Sequence, residues 1–262
     1  MKISLKIIPL ELLEQYKKGF DKKVKLRFEK LHDSELSIKT FSFYTSVSAV
    51  YSSKIEGENI ELDSFIKHKR FGTKYLADYT QKIDDLYDAY LYAQHTKISS
   101  KALEQAHAKL TKHILQKSQQ GKLRTGNMFV VTEDGRIEYV AATPDKVKLE
   151  MKKLYADIKT LLETELSFEE VLFFASMLHL VFVKIHPFED GNGRTSRLFE
   201  KWFVAEKLGY KAWFIQSERN YYEQHQTYYN NIRLLGLDYE ELNYSAALPF
   251  LQMLPNAISI KD

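Results

Sequence analysis

Ser167-Phe168-Glu169-Glu170-Val171-Leu172-Phe173-Phe174-Ala175-Ser176-Met177-Leu178-His179-Leu180-Val181-Phe182-Val183-Lys184-Ile185-His186-Pro187 holds the most apolar run of the chain and sets its architecture. Ser167 with Glu170 three residues on is a capping-box start. Val171, Phe174, Leu178 and Phe182 then recur at helical spacing, and the segment is apolar nearly all round, which predicts a buried central helix. The helix must stop near His186, because Pro187 pushes the residue before it out of the α region. Between Val171 and Val183 only Ser176 and His179 interrupt the apolar run, which falls short of the roughly 18 residues of a membrane span.

Working outward, a helix after Gly193 carries Leu198, Trp202 and Ala205 on one face and ends at Gly209. Upstream, Thr143 and Pro144 read as N-cap and N1 of a helix with Val147, Met151, Leu154, Ile158 and Leu161 on its inner face. Further helices are expected over residues 82–95, 101–117, 217–235 and 239–253. The one β element is a hairpin, Met128 to Val131 and Ile137 to Val140, around Glu133-Asp134-Gly135-Arg136. A lone hairpin is marginal in water, so it should lie on the helical body as a flap. The expected fold is therefore all-α, mainly helical, with a small β-hairpin. Its expected parts are an N-terminal helical region over 1–98, a core over 99–235 and a C-terminal helical extension over 236–262; one continuous helical domain is the competing reading.

At 262 residues the chain can bury one large core or two modest ones. It has no cysteine, so disulfides and a thiolate nucleophile are excluded and a cytoplasmic location is the simplest expectation. Lys6, Pro9 and Glu11 break the N-terminal run and remove the features of a secretory signal. With 38 basic against 35 acidic residues there is no nucleic-acid footprint, and Lys22, Lys23, Lys25 and Arg27 read as a solvated face. Neither repeats nor low-complexity tracts are present.

The chemistry concentrates in His186-Pro187-Phe188-Glu189-Asp190-Gly191-Asn192-Gly193-Arg194-Thr195-Ser196-Arg197. Two glycines around Asn192 permit a tight turn that exposes N–H groups, and the following helix offers its positive end, so the loop is an anion cradle suited to phosphate. Arg194 and Arg197 lie three apart in the first helical turn. Cations there oppose the helix dipole unless an anion is present, which points to a ligand. Asp190 supplies one hard carboxylate, suited to Mg²⁺ bound mainly through phosphates and water. His186, with an ordinary pKa of about 6.5, can accept a proton from a hydroxyl. Each of these has a bland counterpart: His186 as a structural histidine, and Asp190, Arg194 and Arg197 as an ion-pair set. Their crowding at a helix start favours the functional reading. His179 reads as a hydrogen-bonding histidine inside the central helix.

This string resembles the signature of the Fic family, in which His, Phe, an acidic residue, Gly-Asn-Gly-Arg and a final Arg recur at this spacing. The resemblance spans roughly residues 100–235. It implies a Fic-fold protein adenylyltransferase that moves AMP from Mg-ATP onto a Ser, Thr or Tyr hydroxyl. His186 would be the general base and Asp190 the Mg²⁺ ligand. The nucleotide-binding stretch runs from Asp190 to Arg197, Thr195 and Ser196 included. In it, Gly191, Asn192 and Gly193 would hold the α-phosphate region, Arg194 the β/γ-phosphates and Arg197 the γ-phosphate. Phe188 would anchor the loop. Met128, Phe129, Val130 and Val131 match the family's flap, along whose edge a target segment pairs. Tyr221 and Tyr222 match a pair on the adenosine side, and Asn230 would approach the base. Taken alone, the two tyrosines read as core or rim aromatics. A kinase-active branch carries Ala and Lys in place of the two glycines, which this chain does not. It departs from the family where Val131-Thr132 and Ala141-Ala142 replace a glycine and two prolines of the flap.

Upstream, Ser52-Ser53-Lys54-Ile55-Glu56-Gly57 resembles the family's inhibitory motif. At a helix end, Ser52 and Glu56 share a face one turn apart and Gly57 fits the left-handed C′ position. A carboxylate is disfavoured there by the dipole and needs a cation; the resemblance nominates Arg197, making Glu56 an autoinhibitory residue. The expected partners are ATP and a target protein, the chain itself included, with neither nucleic acid nor membrane. A homo-oligomer is compatible with the sequence. Alternatives are another nucleotide donor, removal of AMP with Glu56 orienting water, and a nucleotide-binding regulatory module without turnover.

Overall fold

A computed structural model of the chain describes residues 3–131 and 137–258. Among these the order is α1 (Leu13–Lys18), α2 (Lys23–Glu29), α3 (Phe43–Ile55), α4 (Leu62–Phe71), α5 (Ala77–Gln94), α6 (Ser100–Leu110), β1 (Phe129–Val131), β2 (Ile137–Val140), α7 (Pro144–Glu163), α8 (Phe168–Ile185), α9 (Asn192–Leu208), α10 (Ser217–Glu223), α11 (His225–Arg233), α12 (Leu248–Leu251) and α13 (Met253–Ala257). The fold is mainly helical with a two-stranded antiparallel sheet. The predicted Asp-Gly turn of the hairpin lies outside the described residues. None of the described helices is long and apolar enough to cross a membrane.

The hydrophobic pattern accounts for the centre. α8 starts in the expected capping box, with both Ser167–Glu170 bonds present, and is buried along nearly its whole length. Fully buried Phe173, Phe174 and Phe182 each contribute about 2 kcal/mol through apolar area removed from water. α9 packs along α8, and Leu198 and Trp202 turn inward. Trp202 keeps its indole N–H satisfied on Thr96 O at 2.9 Å. Residues 6–8 dock on α7 by donating three backbone N–H bonds, 2.7 to 3.0 Å long, to the Asp157 carboxylate.

α3 is wedged between α5, α9 and α10. Its Ser46, Ala49, Val50, Ser52 and Ser53 are all fully buried. A buried cation fastens it: Lys201 of α9 donates to Ser48 Oγ at 2.6 Å, to Ile215 O at 2.6 Å and to Glu218 Oε2 at 2.5 Å. The Tyr90 hydroxyl of α5 donates to the other Glu218 oxygen at 2.7 Å. Breaking such a buried pair by removing one partner costs about 3–5 kcal/mol.

Several boundaries differ from the expected ones. The helix expected over 82–95 begins earlier, at Ala77. The one expected over 101–117 ends at Leu110, where Thr111 Oγ1 bonds back to His107 O, a local alternative to helix propagation. The segment 217–235 breaks at Gln224, whose ψ of 35° leaves the helical region. Over 239–253, Asp238 and Asn243 cap their own short turns, giving two 3₁₀ turns before α12 and α13.

Candidate active site

α8 ends as its proline requires, with His186 at φ 52° and ψ 60°, the only non-glycine residue with positive φ among the described residues. Its Nδ1 lies 3.1 Å from Val183 O. A carbonyl can only accept, so Nδ1 carries the proton and Nε2 is left with the lone pair. Burial pushes the imidazole pKa down and nearby Arg124 adds to this, outweighing Glu56 and Asp190, so the ring is neutral near pH 7.

The turn after it is held from inside. Phe188 is fully buried and stacks on His107 at 3.6 Å between ring centroids. His107 accepts from the Gly121 N–H and donates Nε2–H to Asp190 O, both at 2.9 Å, and burial lowers its pKa to about 4. Asn192 accepts from Phe188 N at 2.9 Å and donates to Phe188 O at 2.8 Å. Gly191, at φ 76°, offers no side chain to cap α9, so first-turn N–H groups remain available to an anion. An added Cβ at Gly191 would stand 2.7 Å from Thr111 Cγ2. Gly191→Ala is therefore expected to lower stability by about 1–2 kcal/mol, and more if Thr111 cannot move; denaturant melts check this.

Arg197 is 1% exposed, and four of its five N–H donors are in use. It donates to Ser52 Oγ (2.8 Å), Ser52 O (3.0 Å), Glu56 Oε1 (2.6 Å) and the Tyr228 hydroxyl (3.3 Å). The shared face of Ser52 and Glu56 thus meets one guanidinium, and Gly57 takes the expected positive φ of 87°. Burial works against charge on Glu56, but Arg197 and Arg194 prevail and hold its carboxyl below the usual range. Arg194, 5% exposed, has Glu58 at 3.5 Å, while its buried Nε has no partner among the described residues.

A cavity of about 540 Å³ opens over this turn, within the range of nucleotide-sized pockets. Glu56, Met128, Phe129, Val130, Val131, His186, Asp190, Asn192, Gly193 and Arg197 all line it. Gly191 and Arg194 do not, and neither do Thr195 and Ser196. The last two are buried, and their hydroxyls bond back to Gly191 O and Gly193 O at 2.8 Å, knitting the first turn of α9. Tyr221 is also elsewhere, fully buried with its hydroxyl on Glu200 at 2.8 Å. Tyr222 packs against Tyr51 at 5.5 Å, and Asn230 is exposed, bonded to Gln226 and Arg233. The aromatic wall is instead Tyr228 and Tyr229 of α11, followed by Ile232 and Arg233. Their i, i+4 spacing was the available signal; the break at Gln224 hid it. His179 is buried between Glu200 (3.0 Å) and Tyr228 (2.9 Å), as a structural histidine. Of the turn's two carboxylates, Glu189 and Asp190, Asp190 is the one that lines the cavity, and no cluster of three potential metal ligands exists among the described residues.

A histidine at the end of a buried helix, a glycine turn feeding an arginine-bearing helix and a hairpin along the same cavity define a mainly helical domain with one composite site. Residues 97–204 match the Fic/DOC family, and the chain carries a domain of that family. Its fold is similar to that of a Fic family protein from Desulfovibrio desulfuricans G20, at TM-score 0.73 and 17% identity over 98% of this chain and 73% of that one. A Fic domain containing signaling protein from Bacteroides thetaiotaomicron VPI-5482 gives TM-score 0.65 and 18% identity, covering 95% and 91%. Fic-1 (aa134 - 508) from C. elegans gives 0.64 and 17%, covering 95% and 68%. No curated protein matches the chain in sequence.

Proposed function

We propose that the chain is a protein adenylyltransferase, transferring AMP from ATP to a hydroxyl of a target protein and restrained by Glu56. The observation that carries this is His186 Nε2, left as an acceptor beside a cavity lined by Gly193, Asp190 and Arg197. The target oxygen would attack the α-phosphorus, the bond from that phosphorus to the α,β-bridging oxygen would break, and the hydroxyl proton would pass to Nε2 as pyrophosphate leaves. Fixed donors at the α9 start and the arginines would stabilise the charge that develops.

The residues fit a polyphosphate. Arg194 keeps a buried Nε without a partner among the described residues. Glu56 Oε1 stands 2.4 Å from where a Cβ on Gly193 would lie, so an oxyanion already rests between Gly193 and Arg197. Asp190 would hold Mg²⁺ together with the phosphates, and the cation would neutralise phosphate charge. Glu56 occupying Arg197 denies that guanidinium to the γ-phosphate, which supports the inhibitory role.

The test is intact mass spectrometry of the Glu56→Gly protein after incubation with Mg-ATP, alone and with lysate. Added AMP on a hydroxyl is the expected result. ATP bound in calorimetry with no pyrophosphate released would instead make the chain a binding module, and adducts only with another nucleotide would move the donor. Acid dependence provides a separate check. Neutral imidazole is the base, and a lowered pKa keeps it neutral further into acid, so transfer by Glu56→Gly should lose half its rate below pH 6.5. Deleting Glu56 also removes a charge that favours imidazolium. A midpoint above 6.5 in the pH–rate profile contradicts the assignment.

A further inference from the structure

Every helix end leaves backbone carbonyls without helical partners. At the end of α8 each carbonyl from Val183 to Pro187 is taken. His186 Nδ1 serves Val183 O at 3.1 Å and the Tyr139 hydroxyl serves Lys184 O at 2.7 Å. One residue serves the other three: Arg124 donates Nη2–H to Ile185 O (3.3 Å), Nε–H to His186 O (2.7 Å) and its backbone N–H to Pro187 O (2.9 Å). The same guanidinium also donates to Gly126 O at 2.7 Å and to Ala142 O. Gly126 precedes β1 and Ala142 follows β2, so both feet of the flap and the turn bearing the imidazole are gripped by a single side chain.

Arg124 is 3% exposed. Among the described residues all its side-chain hydrogen bonds go to main-chain carbonyls, two at the negative end of α8 and two at the flap feet, so peptide dipoles, together with the charge of Glu189 nearby, balance it. A buried charge is costly without such partners. A lysine would keep the charge but lacks the planar fork needed to reach several carbonyls together.

We propose that Arg124 is a positioning residue for transfer, holding the His186 backbone in its left-handed conformation and coupling the flap to the imidazole. The ring follows its backbone, so loosening the clamp misplaces Nε2 relative to any segment docked on β1. This rests on the adenylyltransferase reading. The phosphate cradle, built from residues 190–197 and α3, makes none of these contacts.

The experiment is Arg124→Lys in the Glu56→Gly background, read three ways. AMP transfer should fall by about 10²-fold in kcat, the scale of a misplacement of about 1 Å. KM for ATP and ATP affinity in calorimetry should stay within about twofold, since uniform binding is untouched. Amide exchange should rise together at residues 126–131, 137–142 and 183–187 while α9 stays protected. Retained kcat overturns the proposal. So does a parallel fall of kcat, ATP affinity and thermal stability, the pattern of a merely structural residue. If Glu56→Gly with Arg124 intact transfers no AMP, the functional reading fails, and the exchange measurement, which needs no turnover, still decides the coupling: unchanged exchange at the flap feet refutes it.

Discussion

In the Glu56→Gly protein, His186→Ala is expected to slow AMP transfer by about 10²–10⁴-fold, the usual worth of a positioned general base, with ATP affinity nearly unchanged. The Nδ1 bond to Val183 O fixes the tautomer, so a single nitrogen faces the cavity and no neighbour replaces it. Asp190 is the other titratable group of the turn that lines the cavity, yet its Oδ1 accepts from Gly191 N and would be shared with a cation. Incorporation of labelled AMP, measured beside calorimetry of ATP, separates the two quantities. A rate within tenfold of the parent would hand the proton to solvent and remove His186 from the chemistry.

Glu56→Gly itself is expected to raise transfer by about 10²–10³-fold, the effect of restoring one donor aimed at developing charge. In the wild-type chain Arg197 spends three of its four hydrogen bonds on Ser52 and Glu56. Without the carboxylate a buried cation keeps only Ser52 and Tyr228. The apo mutant should therefore lose about 1.5–3 kcal/mol, the scale of a hydrogen bond to a charged group. ATP should return that stability, because its phosphate supplies the missing anion. Thermal melts with and without Mg-ATP, run beside labelled transfer, test both halves. Equal low labelling in wild type and mutant, with no larger nucleotide shift in the mutant, would remove the restraint.

Much of this was readable before any coordinates, because the signals were local. The capping box at Ser167, the apolar run to Ile185 and the stop before Pro187 each depend on neighbours within a turn. The Ser52–Glu56 spacing likewise placed both groups on one face. What escaped was set by hydrogen bonds and backbone breaks that leave no hydrophobic period. Tyr221-Tyr222 and Tyr228-Tyr229 are the same dipeptide, and only the break at Gln224 decides which pair meets the cavity. Thr195 and Ser196 belong to the cradle in sequence but bond back into α9. Arg124 and His107 were invisible because the bonds that tie them to the turn go to main-chain atoms 62 and 83 positions away, which no side-chain pattern encodes.

The fastening of α3 carries a consequence for how such a restraint is released. With Lys201 anchoring Ser48 and the helix enclosed by α5, α9 and α10, peeling it away would open the protein's own interior. Rotating one carboxylate at its C-terminal tip would not. On the proposed reading, release would need only a swing of that side chain. Because Glu56 and Arg197 belong to one chain, dilution would leave their pairing intact.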